Sequence, residues 1–220
     1  MFGLKKILFG ETTPEHLPDE VRSALAQWRE MPSPDLHGPH FHTRYIAVDI
    51  ATSGSNPDTD RVLGIAAASV YRNMISSDDA IFLDLSTLDD EAEIARSLAA
   101  FLSFIGKAPL VTYHEPFVGM FLQRLLKSKL GVTLPQQWVD LAWLLPSMFE
   151  EKSHGVMPLD FWVGALALDS TDERRDAMVN TLLLARIFQM LSIRAIAKGI
   201  DNAFKLLDES RASSFLRRTH

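Results

Sequence analysis

The chain has 220 residues, a formal net charge of −6, 47% hydrophobic and 23% charged residues, a composition typical of one globular domain with an extension or of two small domains. It contains no cysteine, which excludes disulfides, cysteine nucleophiles and thiolate metal sites. No segment reaches the roughly 18 uninterrupted apolar residues of a transmembrane helix, and the apolar run within residues 1–10 is too short for a signal-peptide core. We therefore expect a cytoplasmic protein without a membrane segment.

Charge is distributed unevenly along the chain. Residues 174–220 contain nine Lys or Arg against four acidic residues, whereas the remainder has 13 basic and 24 acidic residues, a net charge of −11. This basic C-terminal segment could contact a phosphate backbone. A solvated helical surface has the same composition, so charge alone does not separate the two interpretations.

The first 42 residues predict an arm with one helix. Residues 18–30 have a proline at the start, acids in the first turn and three apolar residues at helical spacing, a pattern typical of a helix. The following connector contains His37, His40 and His42, which lack the paired spacing of a zinc site. We expect this connector to be a solvated loop.

Beyond residue 43 the pattern alternates between strands and helices. Apolar segments of strand length occur at residues 45–50, 61–71, 80–86 and 108–114. Helical periodicity is found at residues 88–106, 117–131, 138–149, 159–168 and 172–191. The first three strands are consecutive, which predicts an antiparallel meander, and the fourth is expected to join it in parallel. The order predicts an α/β or α+β fold.

Three of these segments carry motif-like residues in a fixed order. "YIAVDIATSG" at 45–54 matches a strand with Asp-x-Glu followed by Thr-x-Gly, except that Ala51 replaces the Glu. "PLVTYHEPFVGMFLQRLL" matches a strand followed by His-Asn-x-x-Phe-Asp, and "RRDAMVNTLLLARIF" matches His-x-Ala-x-x-Asp on a helix. Together they resemble the DnaQ-like (DEDD, RNase H-like superfamily) 3′–5′ exonucleases, the family of the DNA polymerase III epsilon subunit.

The resemblance implies a fold and a division of the chain. The expected fold is an RNase H-like mixed sheet with helices on both faces, at residues 43–192. An N-terminal helical arm would occupy residues 1–42, and a basic helical extension residues 193–220.

The resemblance also implies that the catalytic site has been dismantled. Two-metal phosphodiester cleavage needs several carboxylates around Mg²⁺ or Mn²⁺ and a general base for the attacking water. Matched residue by residue, Asp49 is the one family acid retained and the only candidate metal ligand among these positions. The other four positions hold Ala51, Val118, Arg175 and Asn180, where Arg175 replaces the base. We therefore expect an inactive protein without a metal cofactor.

Other matched positions imply nucleic-acid contacts. In the family pattern these would come from Thr52, His114, Phe117 and Arg175. Arg175 at the mouth of the cleft would contact Asp49 directly or through a water and lower the pKa of that carboxyl; the alternative is an Arg175 that turns to solvent. Asn180 would add an amide donor.

Further aromatic and methionine positions predict core packing more than a base-stacking surface. These positions are Trp143, Met148, Phe149 and Trp162.

Three functions remain open from the sequence. The first, favoured because three carboxylates are missing, is an inactive exonuclease-fold protein that binds single-stranded nucleic acid or a replication or repair protein. The second is an active 3′–5′ exonuclease that holds Mg²⁺ or Mn²⁺ through displaced ligands Asp49, Glu115 and Asp176, since Asp176 shares a helix face with Asn180. The third is an interaction module whose cleft has closed.

Overall fold

A computed structural model describes residue 14, residues 16–168 and residues 176–218, apart from the side chains of residue 77 and residues 216–218. Five strands form one sheet: β1 (Tyr45–Thr52), β2 (Val62–Tyr71), β3 (Met74–Asp84), β4 (Leu110–Thr112) and β5 (Trp138–Asp140). The helices of the described residues are α1 (Asp19–Glu30), α2 (Glu91–Ile105), α3 (Glu115–Leu130), α4 (Leu141–Met148), α5 (Leu159–Ala165), α6 (Ala177–Ala197) and α7 (Ala203–Arg218). Predictions that fall on residues 1–13 or 169–175, including Arg175, lie outside the described residues.

The sheet is mixed and has the strand order β3-β2-β1-β4-β5. Strands β1, β2 and β3 pair antiparallel, and β4 and β5 add in parallel on the other side of β1. This confirms the predicted meander and the parallel fourth strand, with the strand of Asp49 at the centre. The fourth strand is three residues long, because the backbone turns at His114, which has a left-handed φ of 61°.

Side chains alternate between the two faces of β1, and each face has its own apolar core. Ile46, Val48 and Ile50 pack with α1, α2 and α3. Tyr45 and Ala47 pack on the opposite face with α4, α6 and α7. Helices therefore cover both faces, as predicted, and Asp49 points towards α6 because side chains two residues apart share a face.

The helix predicted at 138–149 is wrong at its start. Trp138–Asp140 form β5, which pairs with β4, and α4 begins only at Leu141. The Asp140 side chain accepts a hydrogen bond from the Ala142 N–H and so caps α4. A three-residue apolar strand has too few residues to show a period, so it merges with the helical pattern that follows.

The prediction that the histidine connector is a solvated loop is wrong at His40, which is buried. Its ring is 5% exposed, with Nδ1 2.6 Å from the Tyr45 hydroxyl and Nε2 3.0 Å from the Ile200 carbonyl oxygen. Burial lowers the pKa of His40 because desolvation disfavours the charged imidazolium. The connector is therefore fastened to the turn between α6 and α7.

The N-terminal helix belongs to the same core as the sheet. Val21, Leu25 and Trp28 are buried, and the Trp28 indole N–H donates to the Gly106 carbonyl at the end of α2, at 2.9 Å. At the other boundary, α6 continues past residue 192 to Ala197. The division into arm, domain and extension remains a prediction.

Helix α6 has 21 residues and a hydropathy of 1.3 in its most apolar window, enough to cross a membrane by length and composition alone. Half of that window is buried within the fold, where the helix packs on β1 and β2. Core helices of soluble proteins pass the same test, so α6 is weak evidence for a membrane segment.

Candidate functional site

The site is centred on Asp49, near the end of β1. Its side chain is half-buried beneath the first turns of α6, and the Asn180 Nδ2 donates to Asp49 Oδ2 at 3.0 Å. Two further contacts fix α6 in place: Asp176 caps the helix by accepting from the Val179 N–H, and the Thr181 hydroxyl donates to the Ala66 carbonyl on β2. The expected amide donor is thus present.

The surroundings of Asp49 favour its neutral form. Desolvation by burial raises the pKa of this carboxyl, and the hydrogen bonds from Asn180 and the Ile50 backbone offset only part of the effect. The Asn180 Oδ1 is buried and has no hydrogen-bond partner among the described residues. A protonated Asp49 could donate to that oxygen, whereas an ionised one cannot. The Arg175 contact, expected to lower this pKa, remains a prediction.

We expect Asp49→Asn to stabilise the protein at neutral pH by about 1–2 kcal/mol. A raised folded-state pKa gives a stability contribution that is complete below the unfolded pKa of about 3.9 and is lost as pH rises through the folded value. The variant has no carboxyl to ionise, and its new amide can donate to Asn180 Oδ1. Its advantage should therefore grow from about pH 4 to pH 7 in urea unfolding.

A matched control for this change is Asp78→Asn, which removes an exposed carboxyl from β3. Its free energy of unfolding at pH 7 should stay within about 0.5 kcal/mol of the wild-type value. A loss of stability for Asp49→Asn at pH 7 would contradict the expectation and would indicate that a cation, such as Arg175, pairs with the carboxylate.

Two of the three other family acid positions, Ala51 and Val118, supply no ligand oxygen. Ala51 lies opposite Gly64 on β2, and Val118 is 1% exposed within the core between the sheet and α3. Thr52 donates through its hydroxyl to the Gly54 carbonyl at 2.8 Å, which holds the turn after β1. Phe117 packs on Phe121, with ring centroids 4.9 Å apart. Both residues that were expected to contact nucleic acid thus have structural contacts as well.

The displaced ligands are not brought together. Glu115 lies in the first turn of α3, and Asp176 is exposed and occupied as the cap of α6. Within residues 16–168 and 176–218, no three His, Asp or Glu side chains are placed to hold a metal ion. The described residues therefore do not fit Mg²⁺ or Mn²⁺ bound through Asp49, Glu115 and Asp176.

Asp140 is a second buried carboxylate that the family match does not include. It is 5% exposed and accepts backbone N–H groups from His114, Glu115 and Ala142, each at 3.0 Å. Burial raises its pKa, and these three donors offset part of the effect. An acid directly before a helical apolar run is an N-cap signature that could have identified it.

The contacts of Asp140 determine how His114 is presented. The carboxylate holds the start of α3 against the start of α4, while the His114 side chain remains exposed. The predicted core positions behave as expected: Met148, Phe149 and Trp162 are buried, and Trp143 is half-buried.

No protein-family model and no curated protein matches this sequence. Several solved structures match its fold. Escherichia coli exonuclease I in complex with a dT13 oligonucleotide has a TM-score of 0.55 and 12% identity, over 71% of this chain and 42% of that one. Cell-death related nuclease 4 (CRN-4) has a TM-score of 0.54 and 16% identity, over 75% and 67%. Exonuclease I from Methylocaldum szegediense has a TM-score of 0.51 and 12% identity, over 69% and 41%.

The fold is that of the RNase H-like exonucleases. This confirms the predicted fold class, a mixed sheet with helices on both faces. Identities of 12–16% establish the exonuclease fold and not its DnaQ-like branch. The chain spans less than half the length of the exonuclease I structures that share the fold.

Proposed function

We propose that this exonuclease-fold protein binds single-stranded nucleic acid and does not cleave it by a two-metal mechanism. The contact between Asn180 Nδ2 and Asp49 Oδ2, at 3.0 Å, carries the proposal. It places an N–H donor on the one carboxylate retained at the family's acid positions.

The physical reason is the ligand preference of the metal. Mg²⁺ and Mn²⁺ need several oxygen ligands, most of them anionic, to replace tightly held water. An N–H donor is electropositive, so Asn180 competes with a cation for Asp49. Ala51 and Val118 add no oxygen, and the described residues include no group of three His, Asp or Glu side chains that could hold a metal ion.

Two observations support the nucleic-acid part of the proposal. Exonuclease I, which shares the fold, forms a complex with a dT13 oligonucleotide. In this chain, Arg61, Arg124 and Lys127 are exposed, and none of them forms an ion pair with a described residue. They line two grooves of about 380 and 770 Å³ that share Pro57 and Arg124. Asp58, Asp60, Asp89 and Glu91 line the same grooves, so the support comes from the individual exposed cations, each able to contact a phosphate, and not from a net positive charge.

The test has a cleavage arm and a binding arm. The purified protein should leave labelled single-stranded DNA and RNA intact with Mg²⁺ or Mn²⁺, in an assay where E. coli exonuclease I shortens the DNA. Fluorescence anisotropy should show binding whose log affinity falls with log salt by about 0.7 for each phosphate contacted.

The possible outcomes separate the three candidate functions. Metal-dependent shortening that disappears in Asp49→Ala would overturn the inactive assignment and favour displaced ligands. Absence of binding at low salt would leave an interaction module, for which a replication or repair protein is the proposed partner.

A further inference from the structure

Phe82 is an exposed aromatic side chain that lies level with Asp49 in the sheet, with one residue of β2 between them. Asp49 pairs with Ala66 on β2, and Ala66 pairs with Phe82 on β3. Directly paired residues share a face of the sheet, so Phe82 lies on the α6 face, two strands from Asp49. The side chain is 48% exposed.

Gly64 lets the Phe82 ring lean towards β1. A Cβ added at Gly64 would lie 3.3 Å from the ring Cε2 and 3.5 Å from Cζ. Gly64 itself pairs with Ala51, at the position of the missing second acid. An aromatic ring thus lies across the smallest residue of β2, next to the place where the family site would be.

The charges around the ring favour an uncharged group over a phosphate. The exposed carboxylate of Asp84 is on the same face as the ring, since Asp84 pairs with Gly64. Its negative charge would repel a phosphate there, whereas a nucleobase is neutral and stacks on aromatic rings.

We propose that Phe82 is the stacking position for one base of the bound single strand. This inference rests on the proposed function and adds to it a residue that the family match does not include. Gly64 leaves room for the ring, and the Asp84 carboxylate on the same face disfavours a phosphate at that place.

The test measures the affinity for a labelled oligothymidylate by anisotropy. Phe82→Ala and Phe82→Leu should weaken binding about five- to a hundred-fold, and Phe82→Trp should preserve it. Gly64→Ala should weaken it as well, because the added methyl displaces the ring.

The matched control is Phe41→Ala, since Phe41 is exposed to a similar extent, 46%. Phe41 precedes the start of β1, whereas Ala51, the partner of Gly64, lies near the end of that strand, so Phe41 is far from the proposed position. The affinity of this variant for the oligothymidylate should stay within about twofold of the wild-type affinity. Circular dichroism and urea unfolding check that every variant folds.

Equal affinity of wild type, Phe82→Ala and Phe82→Leu would overturn the stacking position and leave the proposed function intact. A wild-type protein that does not bind the oligonucleotide would overturn both. Self-association that Phe82→Ala abolishes, with binding unchanged, would assign this surface to a second copy of the chain and would also overturn the inference.

Discussion

Asp140→Ala should lower the free energy of unfolding by about 2–4 kcal/mol, because it leaves one buried and two part-buried backbone donors without an acceptor. These donors belong to His114, Glu115 and Ala142, so the change releases the starts of both α3 and α4. Urea unfolding followed by circular dichroism measures the loss. Asp140→Asn retains one acceptor oxygen and should cost about half as much.

Asp176→Ala provides the comparison. Asp176 is also a helix cap, but it is exposed and its side chain accepts one backbone N–H, from Val179 at 2.8 Å. Its removal should cost about 1 kcal/mol. Equal losses for the two variants would show that Asp140 acts only as an ordinary cap of α4 and does not hold the two helices together.

Asn180→Asp should have the other large effect on stability, a loss of about 2–4 kcal/mol at pH 7. The change removes the amide that donates to Asp49 and places a second carboxyl beside it in a half-buried site. Two adjacent carboxylates cannot both ionise without repulsion, so stability should recover as the pH falls and one of them is protonated. Millimolar Mn²⁺ should also recover part of it, because a cation balances both charges.

The double variant with Asp49→Asn and Asn180→Asp exchanges the acid and the amide and serves as the control. It removes the repulsion, so it should be nearly as stable as Asp49→Asn alone, and the two changes should be strongly non-additive. If Asn180→Asp keeps full stability at pH 7, a cation already balances the second carboxylate, and Arg175 would be its expected source.

Local patterns were sufficient to predict most of the fold. Turn-forming residues between the apolar runs at 45–50 and 61–71 predict the β1–β2 hairpin, and the glycines after α2 and α3 mark their ends, since Gly106 and Gly131 have φ values of 54° and 65°. Strand β5 was not predictable in the same way, because three apolar residues joined to a helix have no period of their own.

Part of the candidate site was predictable from the sequence and part was not. Motif spacing was enough to bring Asp49 and Asn180 together across 131 residues. Phe82 could not be placed from spacing, because its position two strands from Asp49 depends on two strand pairings. One of them is irregular, since the register of β2 and β3 shifts between Ala68 and Val70. Such an irregularity shifts register by an amount that the sequence does not specify.

The two edge strands of the sheet are protected against aggregation through strand pairing by different means. Helix α7 covers the edge strand β5, and the Ser210 hydroxyl accepts a hydrogen bond from the Asp140 backbone N–H at 3.0 Å. At β3, the outermost strand carries Asp78 and Asp79, and charged side chains discourage pairing with another chain. Without α7, β5 would expose unpaired backbone groups beside buried Val139. The last helix therefore protects the solubility of the fold, whatever else it binds.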